Sequence, residues 1–141
     1  MKVYQAMFKS FDNIKLVFDN AGLVDGTKLT LEDLKTTKGV LYWFLTVKSE
    51  EASKKQTYVT YDLLNATGSN YGDGEPMSYD VTLQINIFTN KENIQGLIEN
   101  INIESELNGW KFDLATGPGY DTQIKLYIYT FNLKKVISDG T

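Results

Sequence analysis

Residues 79–87 alternate strictly between apolar and polar side chains. Successive side chains of a β-strand point to opposite faces of a sheet, so the alternation predicts a strand over residues 79–89 that is buried on one side. The aliphatic row is Val81, Leu83, Ile85 and Ile87, and the opposite row is Thr82, Gln84 and Asn86. A fold that contains this strand needs a sheet with one apolar face and a layer that covers it.

Helical periodicity supplies that layer. In residues 1–20 apolar side chains recur at helical spacing, at Val3, Met7, Phe11, Ile14 and Phe18, and Gly22 is typical of the helix end. Residues 30–33 resemble a capping box before a short helical turn. Residues 89–92 form a second capping-box pattern, which predicts a helix that ends near Leu107, before Asn108-Gly109.

Further strands are predicted at residues 40–47, 57–64, 110–114 and 121–133. The polar stretch 48–55 is typical of a hairpin tip between the first two, and Gly117-Pro118-Gly119 is typical of a turn. In the last strand we expect Ile124, Leu126 and Ile128 to face the helices, with the aliphatic row of residues 81–87. The opposite face then carries aromatic residues, namely Phe88, Tyr127, Tyr129 and Phe131.

The expected fold class is α+β: an antiparallel sheet with two main helices packed on one face. We expect a single domain over residues 1–133, with a long Gly-rich loop at residues 65–78 and a loosely held C-terminal tail at residues 134–141. Loops of that length in compact domains are usually functional.

Composition excludes several functions. The 141 residues include no Cys and no His, and all 14 cations are lysines, against 18 Asp and Glu. The chain therefore has no disulfide, no thiolate or imidazole metal ligand and no histidine base. The net charge of -4 disfavours nucleic-acid binding, because phosphate neutralisation needs a basic surface. No catalytic constellation, metal site or cofactor site is predicted, and neither a signal peptide nor a membrane span is expected.

The aromatic face formed by Phe88, Tyr127, Tyr129 and Phe131 has no helix left to cover it in this arrangement. Contiguous exposed aromatic side chains usually mark a partner surface, so these residues are the candidate interface.

Several short motifs resemble the tail-terminator (tail-completion) proteins of long-tailed, siphovirus-type bacteriophages. The motifs are Val40-Leu-Tyr-Trp43, then Tyr58-Val59-Thr60-Tyr61, then Tyr71-Gly72-Asp73-Gly74, and finally Ile87-Phe88-Thr89 at the end of a strand. The order of elements is similar over about residues 1–133, and the specific motifs lie within about residues 40–90.

The resemblance implies a structural role without chemistry. Such proteins form a ring, hexameric in this family, that caps the tail tube, stops its polymerisation and joins it to the head connector. The implied partners are further copies of the chain, the tail tube protein and the head-tail connector protein, and the implied location is the virion, after synthesis in the bacterial cytoplasm. Within the loop, the candidate partner contacts are Asn70, Tyr71, Asp73 and Glu75.

Other functions stay open. Another neck protein or the tail-tube subunit fits the same size and fold class, and a tube subunit differs because it polymerises without limit. A monomeric sugar- or peptide-binding module would use the aromatic face as its platform. An enzyme is the third alternative, and it would have to rely on carboxylates, lysines and hydroxyl groups.

Overall fold

The computed structural model describes residues 1–47, 56–72 and 74–139. The elements in chain order are α1 (Val3–Asn20), β1 (Val24–Asp25), a 3-10 helix (Gly26–Lys28), α2 (Leu31–Thr36), β2 (Leu41–Phe44), β3 (Thr57–Gly72), β4 (Glu75–Thr89), α3 (Gln95–Leu107), β5 (Lys111–Asp121) and β6 (Leu126–Ser138). Within the described residues, the strands form one six-stranded sheet in the order β1-β2-β3-β4-β6-β5.

The fold is α+β, as predicted, with a mostly antiparallel sheet. The predicted hairpin between the second and third strands is wrong, because β2 and β3 pair in parallel, with Leu41 opposite Tyr58 and Phe44 opposite Tyr61. Parallel neighbours need a connection that returns to the starting end of the sheet. The segment between Phe44 and Thr57 is that connection, and its residues 48–55 lie outside the described part of the chain.

The predicted loop at residues 65–78 is also wrong. These residues complete one long antiparallel hairpin, in which β3 continues until Gly72 pairs with Glu75 at the start of β4. Only residues 73 and 74 separate the strands, and Gly74 has a φ of +79°. Asp-Gly is a strong signal for a two-residue hairpin turn, so the sequence did contain the relevant cue.

The final strand pair is shifted along the chain from its predicted position. β5 continues through Gly117-Pro118-Gly119, where its register against β6 shifts, and the turn lies at residues 122–125. The predicted loose tail from residue 134 is wrong as far as the chain is described, since β6 extends to Ser138. Ile137 is buried in the core, and Lys9 Nζ donates a hydrogen bond to the Ser138 carbonyl at 3.2 Å. Residues 140 and 141 lie outside the described part.

One face of the sheet, the core face, carries the apolar rows and packs against α1 and α3. Its β6 row has the parity opposite to the prediction: Phe131 lies opposite Ile85 and Leu133 lies opposite Leu83. The largest buried members of this core include Ile14, Val17 and Phe18 from α1, Ile101 from α3 and Trp110. The prediction assigned Ile124, Leu126 and Ile128 to the core face, but Ile124 lies in the turn, Leu126 packs in a smaller apolar cluster on the opposite face and Ile128 lies opposite Phe88. An error of one residue moves every side chain of a strand to the other face.

Helix α1 is confirmed, although its buried stripe differs in part from the predicted one. Ile14 and Phe18 are buried, whereas Val3 is exposed and the stripe continues through Ala6 and Ser10, small residues that allow close packing. The predicted end is correct. Gly22 has a φ of +91°, and the amide of Leu23 donates to the Phe18 carbonyl at 2.9 Å, which satisfies an otherwise unpaired helix-end acceptor.

Of the two capping boxes predicted for the other helices, one forms and one does not. The capping box at the start of α2 forms, with Thr30 and Asp33 exchanging backbone and side-chain hydrogen bonds of 3.1 and 3.2 Å. The capping box predicted for α3 does not form, because Thr89 ends β4 and its hydroxyl group bonds that of Thr57 at 2.8 Å. α3 starts later, at Gln95, and ends at Leu107 as predicted. In the described residues no helix is long and apolar enough to span a membrane.

Candidate partner interface

The four aromatic residues predicted to share one exposed face lie on both faces of the sheet. Phe131 is buried in the core and Tyr129 packs against the same core face, where its hydroxyl group donates to the Glu92 carbonyl. Tyr127 shares this face and contacts Tyr120, with ring centroids 5.0 Å apart. Phe88 lies on the opposite face. The structure therefore does not bring these four side chains together as one surface.

Phe88 belongs to a smaller apolar cluster on the second face. Its ring stacks on Tyr58, with centroids 4.8 Å apart and an interplanar angle of 16°. Leu34 of α2 and Trp43 of β2 complete the buried part of the cluster together with Leu41. α2 therefore covers one end of the second face.

The predicted loop contacts lie at the tip of the β3–β4 hairpin. Asn70 and Tyr71 are near the end of β3, Glu75 begins β4, and Asp73 lies outside the described residues. Tyr71 is 67% exposed. Lys2 forms a 2.9 Å ion pair with Glu75, and the hydrogen bond and charge of Lys2 lower the pKa of Glu75.

The outer edge of β3 beyond Tyr61 is unpaired within the described residues, since β2 matches only the first part of β3. We call residues 62–72 the β3 free edge. β2 stops because the chain turns sharply at Leu45, which has a φ of +66°. The amide of Leu45 still donates to the Tyr61 carbonyl at 2.8 Å, and that of Thr46 bonds the Phe44 carbonyl at 2.8 Å. The chain therefore leaves the sheet where the β3 free edge begins.

Asp62 is the first residue of the β3 free edge. Its Oδ1 atom is buried and has no hydrogen-bond partner among the described residues. Burial raises the pKa of this carboxyl group. A buried acceptor without a partner costs free energy, so the described part of the chain leaves this carboxyl oxygen without a donor.

Exposed apolar side chains of α1 lie on the β3 side of the molecule. Phe11 contacts Phe44 and Tyr61, with ring centroids 4.8 and 5.9 Å apart, which places its helix face beside β2 and β3. Tyr4 and Phe8 precede Phe11 by two turns and one turn, so they share that face. They are 55% and 62% exposed.

Among the described residues, β5 has no partner on its outer side, and we call its 11 residues the β5 edge. The strand at the opposite end of the sheet, β1, has only 2 residues. The core-face aromatic side chains of β5 rest on β6: Phe112 stacks on Phe131 with centroids 4.8 Å apart, and Tyr120 contacts Tyr127. Two register shifts, between Phe112 and Leu114 and between Thr116 and Gly119, interrupt its pairing with β6.

Beyond the α2 cluster, the second face of the sheet is polar, and we call it the polar face. Thr60, Thr82 and Asn132 are buried on it. Thr130 Oγ1 donates to Asn86 Oδ1 at 2.8 Å across β6 and β4. Hydroxyl and amide groups thus occupy the middle of this face, where an apolar layer would be needed to pack a further helix.

A cavity of about 610 Å³ opens on the polar face, between the β3–β4 hairpin and β5. Its lining includes Lys111, Lys134 and Asp80. Lys111 and Lys134 are direct cross-strand partners, and Lys134 forms a 3.5 Å ion pair with Asp113. With Lys135, the lining holds three lysines and one acidic side chain, so its charge is net positive.

In the described part of the chain, no three acidic, His or Cys side chains lie together as a metal site. The most strongly perturbed titratable groups are Tyr42 and Tyr61, whose pKa values are raised mainly by burial in the core. They are enclosed in the packing of α1 on the sheet. No family model and no curated protein sequence matches this chain.

Proposed function

We propose that this protein is a structural virion subunit, a bacteriophage tail terminator that forms a ring on the head-proximal end of the tail tube. The proposal begins from the resemblance of its motifs. The Tyr-Val-x-Tyr motif, residues 58–61, lies in β3, and the Tyr-x-Asp-Gly motif, residues 71–74, lies at the hairpin turn. The Ile-aromatic-Thr motif ends β4 at Thr89.

The observation that carries the proposal is the two-sided character of the sheet. Helices α1 and α3 cover the core face, and the polar face presents hydroxyl and amide groups such as the exposed Thr67 and the partly exposed Gln84 and Asn86. In a ring, such a face suits the lumen. A genome that passes through needs a hydrated wall without a dense array of lysines, because phosphate contacts would hold the DNA.

An assembly role also fits the two long open edges of the sheet, the β3 free edge and the β5 edge. A cyclic ring requires a heterologous interface, in which two different surfaces of the subunit meet. The β3 free edge and the β5 edge lie at opposite margins and differ in sequence. In the proposed role the hairpin tip, with Tyr71 and Glu75, contacts the tail tube or the head connector.

Native mass spectrometry of the purified protein over a concentration series tests this proposal. We expect one discrete ring mass, either for the protein alone or after addition of the tail tube protein from the same genome. Electron microscopy should then show short tubes that end in a ring. A strict monomer at high concentration that ignores the tube protein contradicts the proposal.

The same measurement separates the runner-up, a tail-tube subunit, which shares the open edges and the polar face. A tube subunit adds copies without limit, so the mass distribution broadens with concentration and long tubes appear. A terminator stops at one ring at every concentration. Open-ended polymers therefore exclude the terminator role and favour the tube subunit.

A further inference from the structure

We propose that the β3 free edge pairs with the β5 edge of a second copy of this chain, so that one sheet continues antiparallel into the next. The closure of successive copies into a ring rests on the proposed function. The pairing of the two edges is argued from the strands themselves and is tested separately.

The β3 free edge lacks the features that normally prevent strand addition. Natural sheets protect open edges with lysines, prolines, inward-pointing charges or very short strands. Residues 63–72 contain no charged residue and no proline, and the edge has the same length as the 11-residue β5. One bulge interrupts it, between Leu63 and Asn65. An edge of this kind is a template for another strand.

Asp62 gives this edge a specific requirement. Its buried Oδ1 atom has no hydrogen-bond donor among the described residues, and it lies where β2 leaves β3. The side chain of Asp62 projects from the polar face, because residue 62 pairs with Gln84, whereas the backbone amides of an added strand lie in the plane of the sheet. A donor for this carboxylate therefore has to be a side chain on the polar face of the added strand.

The β5 edge carries Lys111, Pro118 and two register shifts, which partly protect it, but it has the right direction for a second copy. β3 pairs antiparallel with β4, β4 with β6 and β6 with β5, so β5 runs opposite to β3 within one chain. A rotation about an axis along the strands preserves these directions. The β5 edge of the next copy then meets the β3 free edge antiparallel, and the core and polar faces each continue across the junction.

Apolar side chains accompany both edges on the core face. Tyr4 and Phe8 of α1 lie on the β3 side and are largely exposed, while Phe112 and Tyr120 project from β5 and are 36% and 53% exposed. Edge pairing brings these two exposed pairs toward each other beside the new strand pair. Burial of aromatic surface then adds to the backbone hydrogen bonds.

Disulfide trapping tests the pairing directly, because the natural chain has no cysteine. Thr67 in β3 and Thr116 in β5 both belong to the polar face, since they lie opposite Asp80 and Thr130. We expect a Thr67→Cys/Thr116→Cys variant to form a ladder of covalent oligomers under mild oxidation. An Asn65→Cys/Thr116→Cys variant tests the alternative register, in which β5 of the second copy is shifted by two residues along β3.

Matched mixtures identify which edges meet. Equal amounts of the Thr67→Cys and Thr116→Cys single variants should give mainly mixed dimers, identified by mass. A Thr67→Cys/Leu31→Cys variant is the control, because Leu31 of α2 is 66% exposed and lies at neither edge. If both edge pairs cross-link no better than this control, the edge pairing is wrong. If Thr67→Cys alone dimerises as fast as the mixture, β3 pairs with itself and the heterologous contact is wrong.

A charged substitution supplies the second measurement. Thr67→Lys places a protecting lysine on the β3 free edge, and we expect at least a tenfold loss of assembly. Leu31→Lys adds the same charge to an exposed site of α2, which lies at neither edge, and should assemble like the natural protein. Assembly that survives Thr67→Lys unchanged contradicts the edge pairing.

The two proposals fail in different ways. Discrete rings without the 67–116 or 65–116 cross-link leave the terminator role standing and overturn the edge pairing. Cross-linked ladders that grow without limit support the edge pairing and overturn the terminator role.

Discussion

The indole N–H of Trp110 donates a hydrogen bond to Asn13 Oδ1 at 2.5 Å, joining the residue before β5 to the middle of α1. Trp110 is 1% exposed, so the indole nitrogen has little access to water. The contact fixes the start of an edge strand against a helix that lies 97 residues earlier in the chain.

Asn13→Ala should therefore lower the free energy of unfolding by about 1–3 kcal/mol, because the buried indole N–H loses its acceptor. Urea unfolding followed by Trp fluorescence measures the effect. Asn13→Asp keeps an acceptor oxygen at the same position and should recover most of the loss. Equal losses in both variants would contradict the hydrogen bond as the cause.

Stability should fall in alkaline solution through the buried tyrosines. Burial raises the pKa of Tyr61 to about 12. Burial, together with the hydrogen bond to Asp19, raises the pKa of Tyr42 above its usual value. An unfolded Tyr loses its proton near pH ~10, so above that pH the unfolded state binds fewer protons and stability declines as pH rises.

The alkaline decline is measured by urea unfolding between pH 9 and pH 11.5, about the range in which an unfolded tyrosine titrates. A Tyr42→Phe/Tyr61→Phe variant lacks both hydroxyl groups and should decline less steeply, although its stability at pH 8 is lower. Tyr71→Phe is the control, because Tyr71 is 67% exposed. An identical pH slope in the double variant and the natural protein would rule out these two groups as the cause.

Two glycine substitutions should have opposite signs. Gly96→Ala, within α3, meets no atom within 4 Å and should stabilise the protein by ~0.5–1 kcal/mol. At Gly26 an added Cβ lies 2.0 Å from the ring of buried Trp43, so Gly26→Ala should destabilise by ~1–3 kcal/mol. Thermal unfolding of both variants measures the pair. A destabilised Gly96→Ala variant contradicts the open space beside α3.

Local signals predicted the helix ends well. Gly22 and Gly109 end their helices at positive φ, and the Thr30–Asp33 capping box forms, because each depends on residues within one turn. The start of α3 differs from the prediction because of a contact between distant residues. Thr89 bonds Thr57 across the sheet, and this contact keeps residue 89 in β4.

Pairing between distant segments could not be predicted from the sequence. The polar stretch after β2 suits a hairpin tip or a return crossover equally well, and only the position of β3 decides between them. The hairpin arm of β3 and β4 was missed for a different reason. Its Gly, Ser and Asn content is typical of a loop. These residues nevertheless form a strand, because the β3 residues of the hairpin arm are held by pairing with β4.

The four predicted interface residues do not share a face, because the odd-numbered residues of β6 face the core and not the opposite side. Phe131 and Leu133 pair with Ile85 and Leu83, so Tyr127, Tyr129 and Phe131 lie on the core face. Phe88 lies on the opposite face, where it stacks on Tyr58. The β3 free edge was not predictable at all, because it exists only where β2 ends and turns away at Leu45.

Asp62 offers a final test at the start of the β3 free edge. Burial raises the pKa of its carboxyl group, so the folded monomer favours the protonated form more than the unfolded chain does. The partly desolvated charge of the carboxylate opposes folding. Asp62→Asn should therefore raise the urea midpoint of the monomer at pH 7.

The advantage of Asp62→Asn should shrink as the pH is lowered into the acid range, because the raised pKa lets the natural carboxyl group take up its proton in the folded state before the unfolded chain does. Asp80→Asn is the control, since Asp80 is an exposed carboxylate on the same polar face, and its change should stay within about 0.5 kcal/mol. A less stable Asp62→Asn variant at pH 7 would mean that the carboxylate has a stabilising partner in the monomer. In that case the β3 free edge has no unmet donor requirement, and the assembly argument would rest on the open backbone alone.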